Sequence, residues 1–219
     1  MTSEATARTG ALPRPPRWLI SILLKPANWI PATSWLFLVV FQAATAYKEP
    51  SVSTFGLVLI NSVALVLFMT RRDASRVGNV LEGAIAVSGT FVVSLLLIVS
   101  KDEGAALHDA PLLPTIIQYV GIVGWAISLV ALGRSLGIAP ADRGLVRHGP
   151  YRFIRHPIYA FEALFFIGWL INVHTVWPLL IIAVWCVLQV TRIVREERIL
   201  GGYDEYRQQV RWRIIPFVW

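Results

Sequence analysis

The chain has 219 residues, of which 56% are hydrophobic and only 15% are charged, and its mean hydropathy is +0.61. Because soluble domains average about 25% charged residues, this composition excludes an ordinary water-soluble globular protein. The net charge of +7 would suit a nucleic-acid-binding protein if the basic residues formed a patch on a soluble surface, but here they lie between long apolar runs.

The chain begins with residues 1–31, which we predict to be a cytoplasmic tail followed by an interfacial segment. Six apolar segments follow, each long enough or nearly long enough to cross a bilayer as a helix. They run roughly over residues 32–47, 54–70, 80–100, 115–133, 157–171 and 176–194. Lipid offers no partners for backbone polar groups, so such runs should be α-helices. The sequence therefore predicts an all-α, polytopic transmembrane bundle of about five to six spans.

Basic residues alternate along this pattern of spans. All but Lys48 and Lys101 of the 20 Lys and Arg residues fall before the first span, between the second and third, between the fourth and fifth, or near the end of the sixth. Lys and Arg accumulate on the cytoplasmic side of membrane proteins. We therefore expect a multi-pass protein with both termini in the cytoplasm. Residues 32–133 would form the N-terminal helices, and residues 134–219 would form the catalytic region at the cytoplasmic face.

A basic and aromatic stretch precedes the fifth span. It reads Gly149-Pro150-Tyr151-Arg152-Phe153-Ile154-Arg155-His156-Pro157-Ile158-Tyr159. Pro157 fits the first turn of a helix and disfavours the α conformation at His156, so a helix should begin here with His156 at or beside its cap. The free N–H groups of that turn, with Arg155 alongside, could hold a carboxylate or phosphate. Alternatively, Gly149-Pro150 is an ordinary turn and the basic residues face lipid headgroups.

Two adjacent glutamates, Glu196 and Glu197, follow the sixth span. Adjacent side chains on a helix point about 100° apart, so one can face a pocket while the other faces water or an arginine. Tyr203, Tyr206 and Val210 then occur at helical spacing and predict an apolar stripe on an interfacial helix. Taken alone, a charged tail on the membrane surface, with Glu and Arg paired, explains this cluster better than a binding site does.

Taken together, these elements resemble the isoprenylcysteine carboxyl methyltransferase and phospholipid methyltransferase superfamily. The shared order is the Arg155-His156-Pro157 segment, an apolar helical hairpin, the paired glutamates, a Tyr-rich helix and a closing Ile215-Pro216, and it covers roughly residues 132–217. The resemblance implies an integral membrane enzyme that uses S-adenosylmethionine to methylate a lipophilic acceptor, in the manner of the isoprenylcysteine enzymes. Phospholipid methyltransferases also carry a Gly-x-Gly element in an earlier span. This chain instead has Gly121 and Gly124, separated by two residues.

The resemblance also implies which residues bind the cofactor. They are Gly149, Tyr151, Arg155, His156, Pro157, Tyr159, Glu196, Glu197 and, as a weaker candidate, Tyr206. We add two candidate catalytic residues from chemistry. Glu162 is an ionisable residue inside a span, where such residues are often functional, and it would suit an amine or hydroxyl acceptor that must lose a proton. Arg211 would hold a carboxylate acceptor.

Two other functions fit the same residues. Membrane sterol reductases have a similar Arg-His-Pro-x-Tyr hairpin but use a reduced nicotinamide cofactor, and a non-enzymatic membrane protein could bind anionic lipids through its cytoplasmic arginines. We expect membrane lipids and a lipophilic small molecule as partners, and no nucleic acid. We expect no metal either, because Cys186 is the only cysteine and the four histidines lack zinc-site spacing.

Overall fold

The computed structural model describes residues 26–93, 95–96, 111–171 and 176–219, and these form an almost entirely helical fold. The helices are α1 (Pro26–Lys48), α2 (Val52–Thr70), α3 (Val80–Phe91), α4 (Leu112–Leu132), α5 (Pro157–Leu170), α6 (Val176–Ile199) and α7 (Tyr203–Gln209). Single 3-10 turns span Gly133–Ser135 and Gly149–Arg152, and two short strands are β1 (Arg76–Val77) and β2 (Ala141–Asp142). The predicted all-α class is confirmed.

Three helices are long and apolar enough to cross a membrane: α2, α6, and α4 together with the turn that ends at Ser135. Helices α3 and α5 are apolar but shorter. Large apolar side chains point outward, such as Phe37 and Val187, which are 71% and 67% exposed. Such a surface is suited to lipid, and the chain is an integral membrane protein. The count of five to six spans stays a prediction, because residues 1–25, 94, 97–110 and 172–175 lie outside the described residues.

Local signals in the sequence set where several helices begin. At the start of α2, the Ser51 hydroxyl accepts from the Thr54 N–H at 3.1 Å, while the Ser51 N–H donates to the Thr54 hydroxyl at 3.0 Å. Asn79 and Glu82 make the same reciprocal pair at the start of α3. These capping boxes satisfy N–H groups that the first turn leaves free. Helix α5 begins at Pro157 with His156 as its N-cap, as predicted.

Two apolar clusters hold the bundle together. The first joins α1, α2 and α4 through residues such as Trp35, Phe68 and Leu129. The second joins α2, α4, α5 and α6 and includes Phe165 and Trp185. Helices α2 and α4 both contribute to the two clusters, so they connect the two halves of the bundle.

The loops that carry basic residues meet at one end of the bundle. Strand β1 pairs antiparallel with β2, with Arg76 opposite Asp142. Arg134 Nε donates to the Thr70 carbonyl at 2.8 Å, and the Gly201 N–H donates to Asp142 Oδ2 at 3.2 Å. The ends of α2, α4 and α6 therefore lie on the same side, which we call the basic end. Its location in the cytoplasm stays a prediction.

Helices α4 and α5 approach closely because α4 carries glycine at the contact. A Cβ on Gly121 would lie 2.6 Å from the backbone N of Phe165 and 2.8 Å from its Cα. Backbone atoms cannot move aside, so we expect Gly121→Ala to destabilise the protein by about 1–3 kcal/mol through overpacking. Thermal unfolding in detergent measures the effect. Gly83→Ala is the matched control, because its Cβ would meet no heavy atom within 4 Å, and it should be neutral or slightly stabilising. Equal unfolding temperatures for the two variants would contradict the packing argument.

Candidate active site

A cavity of about 210 Å³ lies inside the bundle and extends to the basic end, where Arg143 and Gly144 line it. At that end its wall is charged and aromatic, and we call this part the polar end, lined by Arg143, Tyr151, Arg155, His156, Tyr159, Glu196, Tyr203 and Tyr206. Deeper in the bundle the wall is mainly apolar, and we call this part the apolar arm, lined by Trp35, Leu38, Gln42, Ile60, Asn61, Ala64, Phe68 and Trp125. One cavity therefore joins two chemically different compartments.

Glu197 is the centre of a cluster of charges beside the polar end. Its carboxylate lies 3.1 Å from His156 Nε2 and 3.2 Å from Arg155 Nη1, and it accepts from Arg213 Nε at 3.0 Å and from the Tyr203 hydroxyl at 2.5 Å. The Glu197 and Arg155 side chains are only 10% and 6% exposed. This one carboxylate therefore links the end of α6 to the start of α5 and to the C-terminal tail, residues 210–219.

Glu196 points elsewhere and lines the cavity. It accepts a hydrogen bond from the Tyr159 hydroxyl at 2.5 Å, and Arg192 Nη2 lies 4.0 Å from it. Helical geometry predicts that adjacent side chains point in different directions, and here Glu196 faces the cavity while Glu197 pairs with arginines. Of the two, Glu196 is the carboxylate that a ligand in the cavity can reach.

The C-terminal tail folds back along the segment before α5. The Arg155 N–H donates to the Trp212 carbonyl and the His156 N–H to the Arg213 carbonyl, both at 2.8 Å. The Arg213 guanidinium then reaches Glu197, and its hydrogen bonds to that carboxylate raise its pKa. Since the tail fixes the backbone of Arg155 and His156, it is part of the site's framework.

The tyrosines of α7 complete the polar end. Tyr203, Tyr206 and Val210 pack as one apolar cluster, although α7 ends at Gln209 and Val210 lies just beyond it. That this helix lies at the membrane interface stays a prediction. Burial raises the pKa of Tyr203, and it raises that of Tyr206 to about 12. Both phenols are therefore neutral donors at physiological pH, and the Tyr206 hydroxyl donates to the Tyr151 carbonyl at 2.5 Å.

A chain of polar side chains runs from the polar end into the bundle. Gln189 Nε2 donates to Glu162 Oε2 at 3.0 Å, and Arg192 Nη1 donates to Gln189 Oε1 at 3.0 Å. Arg192 also donates to the Ile138 carbonyl at 3.2 Å and lies over the Tyr159 ring at 5.3 Å. In the sequence, Arg192 was counted among the basic residues near the end of the sixth span that were assigned to the cytoplasmic side. Helix α6 in fact continues through it to Ile199, and Arg192 is buried and lines the cavity.

The structure brings most of the sequence-predicted site residues together. Those that line the cavity are Tyr151, Arg155, His156, Tyr159, Glu162, Glu196 and Tyr206. Others lie beside it. Gly149 supplies a backbone φ of 60° in the turn before α5, and Pro157 begins α5. Arg211 is exposed and does not line the cavity, although its carbonyl accepts from Arg155 Nη2 at 3.3 Å. The role predicted for Arg211 stays a prediction.

Two cavity-lining arginines were missed as site residues: Arg143 and Arg192. Arg192 carried a readable signal, since it lies four residues before Glu196 and a pair at this spacing shares one face of a helix. Arg143 carried none, because its place in the wall depends on how the loop after α4 folds. Among the described residues, the Nε atoms of Arg143, Arg155 and Arg192 are buried without a hydrogen-bond partner.

Comparison with known families supports the resemblance. A model of the phospholipid methyltransferase family matches residues 112–203, which run from the start of α4 to the start of α7. The match is shorter than half the chain and leaves out α1, α2 and α3. No curated protein matches the chain. The predicted resemblance to the isoprenylcysteine and phospholipid methyltransferase superfamily is confirmed for this part of the sequence.

Proposed function

Because residues 112–203 match the phospholipid methyltransferase family, we propose that this membrane protein is a methyltransferase that uses S-adenosylmethionine to methylate a lipophilic acceptor. The observation that carries the proposal is that one continuous cavity joins the polar end to the apolar arm. A charged, water-soluble cofactor and an apolar acceptor need such a space in order to meet away from water.

The donor set at the polar end fits the functional groups of the cofactor. Arg143 and Arg155 line the cavity, so their guanidinium groups can pair with its carboxylate. Glu196 can pair with its ammonium, and Tyr151 and Tyr206 provide aromatic walls for the adenosine. When bound, the cofactor supplies an electrophilic methyl group on a sulfonium.

The remaining residues position the reactants. Glu197 acts through its neighbours, because it holds Arg155 and His156 in place rather than lining the cavity. Glu162 lines the cavity, and its Oε2 accepts a hydrogen bond from Gln189 Nε2 at 3.0 Å. Its other oxygen can take the proton of an acceptor hydroxyl or amine as the new bond forms.

Ligand-dependent stability tests the proposal. We expect S-adenosylhomocysteine to raise the unfolding temperature of the detergent-purified protein, because a ligand that binds only the folded state stabilises it by about 2.7 kcal/mol at 100 times its Kd. NADPH, run in parallel at the same concentrations, should have no effect. A shift with NADPH and none with S-adenosylhomocysteine would overturn the assignment in favour of a reductase.

A further inference from the structure

Two amide side chains lie in the wall of the apolar arm, in the part of the chain that the family match does not cover. Gln42 of α1 is 4% exposed and Asn61 of α2 is 9% exposed, and both line the cavity. Burying an amide among apolar groups is costly unless its hydrogen bonds are made. Two such residues in an otherwise apolar wall therefore require a partner for each polar atom.

The hydrogen bond between Gln42 and Asn61 leaves one polar atom of each side chain without a partner. Asn61 Nδ2 donates to Gln42 Oε1 at 2.9 Å and to the Leu57 carbonyl at 2.8 Å, which uses both of its hydrogens. Gln42 Nε2 and Asn61 Oδ1 have no hydrogen-bond partner among the residues that the structure describes. Neither atom is fully enclosed by surrounding protein atoms. One donor and one acceptor are thus left open to the cavity, side by side.

The pair lies well away from the polar end. Asn61 is seven residues before Phe68, which also lines the cavity, so the two are about 10 Å apart along the helix axis. Phe68 in turn is near the end of α2, where Thr70 contacts Arg134. A second cavity of about 40 Å³ shares Gln42 and Leu57 with the first and continues deeper into the bundle. A chain-like ligand held at the polar end would run past the pair.

We propose that Gln42 and Asn61 form a specificity site for a hydroxyl group carried part of the way along the apolar chain of the acceptor. A hydroxyl can donate to Asn61 Oδ1 and accept from Gln42 Nε2 at once. An unsubstituted hydrocarbon chain leaves both atoms unpaired, and sites with unpaired polar groups reject such analogues. This inference rests on the proposed function, because it assigns the apolar arm to the methyl acceptor.

Quenching of tryptophan fluorescence tests the site without methyl transfer. Trp35 and Trp125 line the cavity, so 9,10-dibromostearate should quench them, and the Trp35→Phe/Trp125→Phe variant should lose the displaceable part of the quenching. Displacement of this probe by 12-hydroxystearate is then compared with displacement by stearate and by 3-hydroxystearate, whose hydroxyl lies next to the head group. We expect 12-hydroxystearate to bind about tenfold more tightly than stearate, since it gains two hydrogen bonds in an apolar wall.

The key variant is Gln42→Leu/Asn61→Leu, which removes both amides. Replacing both partners of a buried pair with apolar groups of similar shape is nearly neutral for stability, so this variant should fold. It should bind the two chains equally and still be stabilised by S-adenosylhomocysteine. Equal binding of the two chains by the natural protein, an unchanged preference in the variant, or no displaceable quenching would each overturn the proposal. If S-adenosylhomocysteine does not stabilise the natural protein, that result would instead count against the proposed function.

Discussion

Replacing Glu197 with alanine is expected to lower the unfolding temperature of the detergent-purified protein by about 10 °C, the largest effect on stability of any substitution considered. The carboxylate lies within 3.2 Å of Arg155, His156 and Arg213 and accepts from the Tyr203 hydroxyl. Removing one partner from a buried charge cluster costs about 3–5 kcal/mol, and in a chain of this size each kcal/mol lowers the unfolding temperature by about 2–4 °C.

The matched control is Glu205→Ala. Glu205 also faces an arginine, with Arg147 Nη2 at 3.7 Å, but its side chain is 78% exposed. Surface pairs of this kind contribute about 0–1 kcal/mol, so the control should unfold within about 3 °C of the natural protein. Glu197→Gln should fall between the two, since it keeps the shape and some of the hydrogen bonds. If Glu205→Ala is as damaging as Glu197→Ala, the cluster is not what fastens the tail to α5 and α6.

The position of this cluster shows what sequence reasoning could reach. Pro157 fixed the start of α5, and the 100° offset between adjacent helical residues predicted that Glu196 and Glu197 would face different surroundings. Which glutamate faces the cavity was not predictable. That depends on the rotation of α6 and on Arg213 arriving from 16 residues further along the chain, and local spacing contains neither.

The apolar arm of the cavity could not be predicted from the sequence, for a different reason. Hydropathy predicts that α1 and α2 are apolar helices, and it marks Gln42 and Asn61 as polar residues within them. It does not predict that these two side chains, which are 19 residues apart in sequence, form a hydrogen bond between the two helices. Arg192 was counted only as a basic residue of the cytoplasmic side, because it lies near the end of a predicted span, whereas α6 extends past it and its side chain is buried.

Replacing Glu196 with glutamine is expected to lower the affinity for S-adenosylhomocysteine at least 30-fold while leaving the fold intact. Glutamine keeps an oxygen that can accept from the Tyr159 hydroxyl, so the local hydrogen bond persists. What is lost is the negative charge that would pair with the ligand's ammonium. Truncating one member of a buried, hydrogen-bonded charge pair typically costs about 2–5 kcal/mol of binding, from which the 30-fold figure follows. Isothermal titration calorimetry measures it.

Two comparisons make this last result specific to the ammonium. Glu82→Gln changes another poorly exposed glutamate, which pairs with Arg195 at 3.3 Å but does not line the cavity, so it should leave the affinity unchanged. Methylthioadenosine keeps the adenosine and the sulfur but lacks the amino-acid group, so it should bind the natural protein and Glu196→Gln equally. A loss of methylthioadenosine binding as large as that of S-adenosylhomocysteine would mean that Glu196 shapes the pocket rather than pairing with the ammonium. An unchanged affinity for both ligands would remove Glu196 from the cofactor site.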